Sequence, residues 1–333
     1  MTNNWFTRWA KSQIKETVVL ARRLILPGFG KVPLYDVGGF YMNGIANGAI
    51  GVRASGIAFH FFMALFPSLI FLFTLIPFIP IPNFQTELIA LIEKVLPANT
   101  YHAVENTILD ITTHKRGSLL SFGFLAALFF STNGISAMIA AFNASANSFE
   151  NRRWISMRLV AILLVVIIFV LITIAIGLII FGQTILTYLV NHGWMQSGFS
   201  KIVFIGGQWL IILAFILICL SFLYYYAPSN RSSFRFFSPG AVMATILVIL
   251  TSLAFSYYLG HFGQYNKLYG SIGTLLALLI WLNINSFVLL IGFELNVSIH
   301  NAHLESKNEL ELSENSKEYE RYYPKKEELL KDL

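Results

Sequence analysis

The sequence contains few charged residues and a single cysteine, and each of these low counts excludes a class of protein. Only 12% of its 333 residues are charged, whereas soluble domains carry about 25%. Hydrophobic residues make up 56% and the mean hydropathy is +0.66, which excludes an ordinary soluble domain. The single cysteine, Cys219, can form neither an internal disulfide nor a multi-cysteine metal site. The composition therefore predicts a membrane protein.

Recognisable catalytic motifs are also missing from the sequence. There is no HExxH metal pattern, no GxSxG nucleophile turn, and no P-loop or dinucleotide-binding glycine pattern between a strand and a helix. His300 and His303 lie about two helical turns from Glu294, but they are better explained as a solvated pair at a helix end than as metal ligands. We therefore expect no catalytic residues, no cofactor and no metal site.

Six long apolar runs dominate what is present. Each is near or above the roughly 20 residues that a helix needs to cross a bilayer. The runs cover residues 54–79, 119–141, 159–189, 202–226, 239–259 and 272–297. They predict an all-α fold, a polytopic membrane bundle of six transmembrane helices.

The distribution of Lys and Arg predicts the orientation of this bundle. Twelve basic residues fall in the N-terminal segment and in the loops after the second and fourth runs, against five in the three alternate loops. Basic loops stay in the cytoplasm, so both termini are expected there. Membrane topology thereby accounts for much of the net charge of +6, and we expect no nucleic-acid partner.

The segments outside the runs divide the chain further. Residues 1–47 are expected to form a cytoplasmic or interfacial segment. Within it an amphipathic interfacial helix is predicted by the helical spacing of Ile14, Val18, Ala21 and Ile25, with Trp5 and Trp9 as headgroup anchors. A glycine-rich stretch, 38–56, is expected to include a short helix at the inner boundary. The transmembrane domain covers 48–300 and includes an external helical hairpin at 81–117. Residues 301–333 form a charged cytoplasmic tail, partly helical or disordered.

Glu294 is the most informative residue, because no other Asp or Glu lies within a membrane-length apolar run. A charge at depth costs about 3 kcal/mol, so such side chains face a protein interior or a polar cavity. We expect Glu294 to lie near the cytoplasmic boundary and within reach of an arginine, with Arg53 favoured over Arg158 and Arg152.

Further polar residues fall on or beside the same spans. Two interpretations stay open for them: structural ion pairs and interhelical hydrogen bonds, or the lining of one polar path for a substrate or proton. The candidate residues are Arg53, His60, Asn133, Asn143, Asn147, Arg152, Arg158, Asn283, Glu294 and Asn296.

Four segments resemble the YihY / virulence factor BrkB family of bacterial inner-membrane proteins, once labelled ribonuclease BN-like. They lie at 53–73, 131–154, 224–241 and 258–296, and the last contains the motifs Tyr-Gly-Ser-Ile-Gly and Gly-Phe-Glu-Leu-Asn. The chain departs from the family pattern at His60, where Tyr is usual, and at Ser131, where a Trp-Ser pair is usual. The resemblance implies a six-helix protein of the bacterial inner membrane. It implies no established molecular activity.

A polar-lined bundle favours transport over catalysis. We expect a transporter or flippase-like permease for an anionic or amphiphilic substrate, with membrane lipids as partners through anionic head groups on the cytoplasmic side. The alternative is a structural or scaffolding membrane protein. An intramembrane enzyme is third, and a ribonuclease is disfavoured because the cytoplasmic loops are short, basic and without paired carboxylates.

Overall fold

A computed structural model describes residues 24–26, 28–30, 32–78, 115–145, 154–193, 197–229, 235–261 and 263–322. Within these ranges the secondary structure is helical, without strands. The α-helices are α1 (Leu34–Asn47), α2 (Ile50–Leu75), α3 (Gly117–Ser145), α4 (Trp154–Asn191), α5 (Ser197–Tyr226), α6 (Pro239–His261) and α7 (Gly263–Tyr322), with a short 3-10 helix (Ile76–Phe78) after α2. The predicted all-α class is confirmed. The predicted interfacial helix and the external hairpin fall almost entirely outside the described residues.

Among the described residues, six helices are long and apolar enough to cross a membrane, and each overlaps a predicted run. The spans are Ile50–Phe78, Gly117–Ser145, Trp154–Asn191, Ile202–Tyr226, Pro239–Leu259 and Leu275–Asn308. Large apolar side chains such as Phe169 and Phe181 on α4 are exposed, as lipid-facing residues of a bundle would be. The chain is a multi-pass membrane protein.

An aromatic stack ties α3, α5 and α7 together at the centre of the hydrophobic core. Phe142 of α3 stacks on Phe293 of α7 with ring centroids 4.2 Å apart, and Tyr224 of α5 meets both rings edge-on. All three side chains are fully buried. The Tyr224 hydroxyl donates a 2.7 Å hydrogen bond to the main-chain oxygen of Leu289, so the one polar atom of the stack is satisfied.

Helices α6 and α7 approach closely because both carry glycine at their contact. A Cβ on Gly292 would lie 2.6 Å from Ala244 Cβ and 2.6 Å from Tyr224 Oη, and a Cβ on Gly240 would overlap the main-chain oxygen of Gly292. Asn296 then accepts a 2.8 Å hydrogen bond from the Gly240 N–H. Small residues that let backbones meet are a common basis of helix packing in membranes.

Helix α1 is short and packs against α7. It carries Asp36 in its first turn, where a negative charge interacts favourably with the helix dipole. Val37 packs in a small apolar cluster that includes Ala302 of α7. Ala49, with a left-handed backbone (φ 46°), joins α1 to α2. This turn places the end of α1 beside the start of α2, at the site described below.

Candidate functional site

Glu294 lies among protein atoms, at the point where α7 passes α1 and α3. Its side chain is 5% exposed. On one side is Gly44 of α1, where a Cβ would overlap Glu294 Oε1, so only glycine allows this contact. On another side the Ser145 hydroxyl of α3 donates a hydrogen bond to the carboxylate. The second oxygen, Oε2, is buried and has no hydrogen-bond partner.

Arg53 reaches the same place from the first turns of α2. Its Nη1 donates to the Ala141 main-chain oxygen at 2.8 Å and to Ser145 Oγ at 2.7 Å. These acceptors lie near the C-terminal end of α3, where the helix dipole favours a cation. Arg53 and Glu294 attract each other, and Ser145 bridges them. The Arg53 atoms Nε and Nη2 are buried without partners.

A polar cavity of about 310 Å³ opens beside these two charged groups. Glu294, Ser298 and Asn301 recur at helical spacing along α7, and Ser298 Oγ donates to the Glu294 main-chain oxygen at 2.7 Å. Helices α1, α2, α3 and α7 form the wall. The lining residues are Phe40, Asn43, Gly44, Asn47, Gly48, Arg53, Ala144, Ser145, Glu294, Ser298 and Asn301. We call this space the Glu294 cavity.

The positive and negative charges that line the Glu294 cavity are nearly balanced. Among its described lining residues, Arg53 and Glu294 alone carry formal charge. The charge of Glu294 also acts on Tyr41 of α1: burial, and then this negative charge, raise the pKa of the Tyr41 phenol above its ordinary value. The wall thus presents one cation, one carboxylate and several amides and hydroxyls.

A second, more apolar cavity of about 280 Å³ lies between α2, α3 and α4. It is lined by His60 and Arg158 among others. Arg158 Nη1 donates to Asn133 Oδ1, and its guanidinium lies 5.2 Å from the centre of the Phe129 ring. Arg158, which the sequence offered as an alternative partner of Glu294, therefore pairs with Asn133 instead.

Several of the candidate polar residues form hydrogen bonds to neighbouring elements, and whether they also line one path stays a prediction. Asn143 Oδ1 accepts from the Ser229 N–H at 3.0 Å, Asn283 donates to Ser55 Oγ at 2.9 Å, and Asn296 binds Gly240 and Ser238. Each amide bonds to a group on a neighbouring helix or loop, because a polar side chain in an apolar bundle is stabilised by the nearest available partner. Asn147 and Arg152 lie outside the described residues.

The sequence interpretation missed most of the cavity wall. Ser145, Ser298 and Asn301 were not predicted, and neither were the residues that α1 contributes, chiefly Gly44 and Asn47. One signal was available: Gly44 and Gly48 are four residues apart, the spacing of small residues that lets helices pack closely. Within the described residues, no three His, Cys, Asp or Glu side chains come together as a metal site would require.

Comparison with known proteins assigns the chain to a family. The profile of the family described as virulence factor BrkB matches residues 44–317. The chain belongs to the BrkB virulence factor family. The match includes Gly44, Arg53, Ser145 and Glu294, so the Glu294 cavity lies within the BrkB region.

Three curated relatives illustrate the similarity of this BrkB chain to other bacterial proteins. The ribonuclease-like protein YfkH of Bacillus subtilis is 34% identical over 248 residues, covering 74% of this chain and 89% of YfkH. A UPF0761 membrane protein of Idiomarina loihiensis is 26% identical, covering 65% of this chain and 73% of its own length. A UPF0761 membrane protein of Pseudoalteromonas translucida is 37% identical over 92 residues, 28% of this chain and 31% of its own. No solved structure matches the chain.

Proposed function

We propose that this BrkB protein is a transporter or flippase-like permease for an anionic or amphiphilic substrate, and that the Glu294 cavity binds the substrate's polar group. One observation carries the proposal: Glu294 Oε2 and Arg53 Nε and Nη2 are buried beside a cavity without hydrogen-bond partners. Unsatisfied buried polar atoms cost about 1–3 kcal/mol each, and more when charged. A polar ligand would satisfy them.

The position of the cavity supports an amphiphile as substrate. It lies at one end of the bundle, where α2 begins and α3 ends, so a head group could bind there while its acyl chains stay in the surrounding lipid. We propose that this end faces the cytoplasm of a bacterial inner membrane, because the basic residues are concentrated in the loops on this side. Anionic head groups are attracted there by about 1 kcal/mol per Lys or Arg.

A reconstitution experiment tests the proposal. Vesicles containing the full chain should move a fluorescent anionic lipid or other amphiphile between leaflets faster than empty vesicles do. Asn47→Trp should slow this movement, since Asn47 lines the cavity from an exposed position where a larger side chain can block the space without repacking the core. Met42→Trp is the matched control, because Met42 lies on the same helix, is 65% exposed and does not line the cavity.

A scaffolding function is the second candidate, and specific contacts favour it. Asn143, Asn283 and Asn296 all form hydrogen bonds between elements of the bundle, and such bonds stabilise the packing of membrane helices. If a panel of anionic and zwitterionic lipids moves no faster than in empty vesicles, the scaffolding function replaces transport.

We propose that the protein is not an enzyme, although YfkH carries a ribonuclease-like name. RNA hydrolysis usually needs a bound metal or an acid–base pair in contact with water. The charged neighbour of Glu294 is Arg53, which attracts the carboxylate but does not supply a second acid–base group. An intramembrane enzyme therefore ranks below transport and scaffolding.

A further inference from the structure

The unpartnered atoms of the Glu294 cavity are of two opposite kinds. Arg53 offers two buried donor nitrogens on a cation, and Glu294 offers one buried acceptor oxygen on a carboxylate. Glu294 is 95% buried, since 5% of its side chain is exposed, and it borders the same space as Arg53. A single ligand that carries an acceptor-rich anion and a donor-rich cation would satisfy both and would also match their charges.

The charge balance of the wall argues against a purely anionic ligand. A phosphate beside Arg53 would gain attraction from the guanidinium and meet repulsion from Glu294, with no further described cation in the lining. Like charges held together at low dielectric are unfavourable. A positive group on the same ligand would be attracted to Glu294 and would offset the repulsion of the phosphate.

The lining also indicates which cation fits. Glu294 Oε2 needs a hydrogen-bond donor, and Asn43, Asn47 and Asn301 add amide oxygens that accept further hydrogen bonds. A primary ammonium has three N–H donors, whereas a quaternary ammonium has none and is bound by aromatic cages. Phe40 is the one aromatic residue among the described lining residues.

We propose that the Glu294 cavity recognises a zwitterionic group in which a primary ammonium is joined to a phosphate, as in a phosphoethanolamine head group. Arg53 binds the phosphate and Glu294 binds the ammonium. A volume of about 310 Å³ is at the lower limit of ligand pockets and suits a head group without its acyl chains. This inference rests on the proposed function and specifies its substrate class. The zwitterion is either the head group of a lipid or a free molecule.

Lipid competition on the purified full-length chain tests the inference. Binding of phosphatidylethanolamine, phosphatidylcholine and phosphatidylglycerol is measured, with free phosphoethanolamine as a fourth probe. Phosphatidylethanolamine should bind about tenfold more tightly than the other two lipids, the effect of about one charge-assisted hydrogen bond. If free phosphoethanolamine competes with the lipid, the head group alone is sufficient for binding. If it does not compete, binding requires the whole lipid. Both outcomes support the zwitterionic site.

Two variants sharpen this experiment. Glu294→Gln should remove the preference for phosphatidylethanolamine, and Glu311→Gln, the same change at a 60% exposed position further along α7, should keep it. Asn47→Lys adds a cation at an exposed position of the wall and should shift the preference toward phosphatidylglycerol, which provides a test even where Glu294→Gln fails to fold.

The inference is overturned if the wild-type chain binds phosphatidylglycerol as tightly as phosphatidylethanolamine, or if a folded Glu294→Gln variant keeps the wild-type preference. The transport assay separates this failure from that of the proposed function. Movement of anionic lipid without a preference for ethanolamine would refute the inference alone. Selective binding without any movement would refute the transport function and leave the zwitterionic site standing.

Discussion

At the scale of single residues, Glu294 is held by groups from three other helices. Gly44 on α1 leaves room for Oε1, Ser145 on α3 donates to the carboxylate, and Arg53 on α2 attracts it through space. The carboxylate thus links α7 to α1, α2 and α3, whatever ligand occupies the cavity. A structural function and a binding function coincide in this side chain.

Glu294→Ala should therefore destabilise the protein in detergent by about 2 kcal/mol. Removing one member of a buried charged pair leaves the other without compensation, and that effect is reduced here because Arg53 is half-buried and keeps its two bonds to α3. Denaturant unfolding measures the loss. Glu311→Ala is the control, since its exposed pair with Lys307 at 3.6 Å contributes about 0.5 kcal/mol. If both substitutions lower the free energy of unfolding by the same amount, Glu294 does not stabilise the fold as proposed.

The sequence predicts where Glu294 lies better than it predicts what it touches. One carboxylate in an apolar run must face protein, and the arginine at the start of the first span is its expected neighbour. Ser145 as the bridging residue depends on side-chain rotamers that no spacing rule contains. The pairing of Asn143 with Ser229 joins residues 86 positions apart, and their proximity follows only once α3 and α5 are packed.

At the scale of helices, the crossing of α6 and α7 depends on two glycines. The motif Gly-Phe-Glu-Leu-Asn at 292–296 combines several contacts: Gly292 meets α6, Phe293 stacks on Phe142, and Asn296 bonds to Gly240. Within little more than one turn of helix, its residues therefore pack against neighbouring helices, line the Glu294 cavity and bind the N-terminus of α6.

Gly292→Ala should destabilise the fold by about 1–3 kcal/mol, because the added Cβ forces the two helices apart or displaces Tyr224. Gly177→Ala on α4 is the matched control: no heavy atom lies within 4 Å of its Cβ position, and little change is expected. Thermal unfolding of both variants in the same detergent compares them. If Gly292→Ala is no less stable than Gly177→Ala, the close crossing is not required.

Hydropathy predicts the spans well and the full length of α7 poorly. The apolar run ends near residue 297, but the helix continues to Tyr322, a total of 60 residues or about 90 Å. The change at residue 300 is one of polarity, while Glu, Leu and Lys in the following segment keep a high helix propensity. The membrane boundary and the helix end are therefore set by different properties of the same residues.

At the scale of the whole molecule, the orientation in the membrane gives a direct prediction. In a chain with Cys219→Ala, Lys115→Cys should react with a membrane-impermeant thiol reagent added outside intact cells, and Lys307→Cys should react only after the membrane is opened. Both positions are exposed and lie near opposite ends of the bundle, at the start of α3 and late in α7. The opposite labelling pattern would place the Glu294 cavity on the outer side and contradict the orientation inferred from the basic loops.

If the space between Arg53 and Glu294 binds a polar ligand, an experimental structure of the full chain in a nanodisc of phosphatidylethanolamine and phosphatidylglycerol should reveal it. We predict non-protein density in the Glu294 cavity that contacts both Arg53 Nη2 and Glu294 Oε2, which are buried without hydrogen-bond partners. A closed cavity, in which Arg53 and Glu294 bind each other directly and leave no space for a head group, would contradict it.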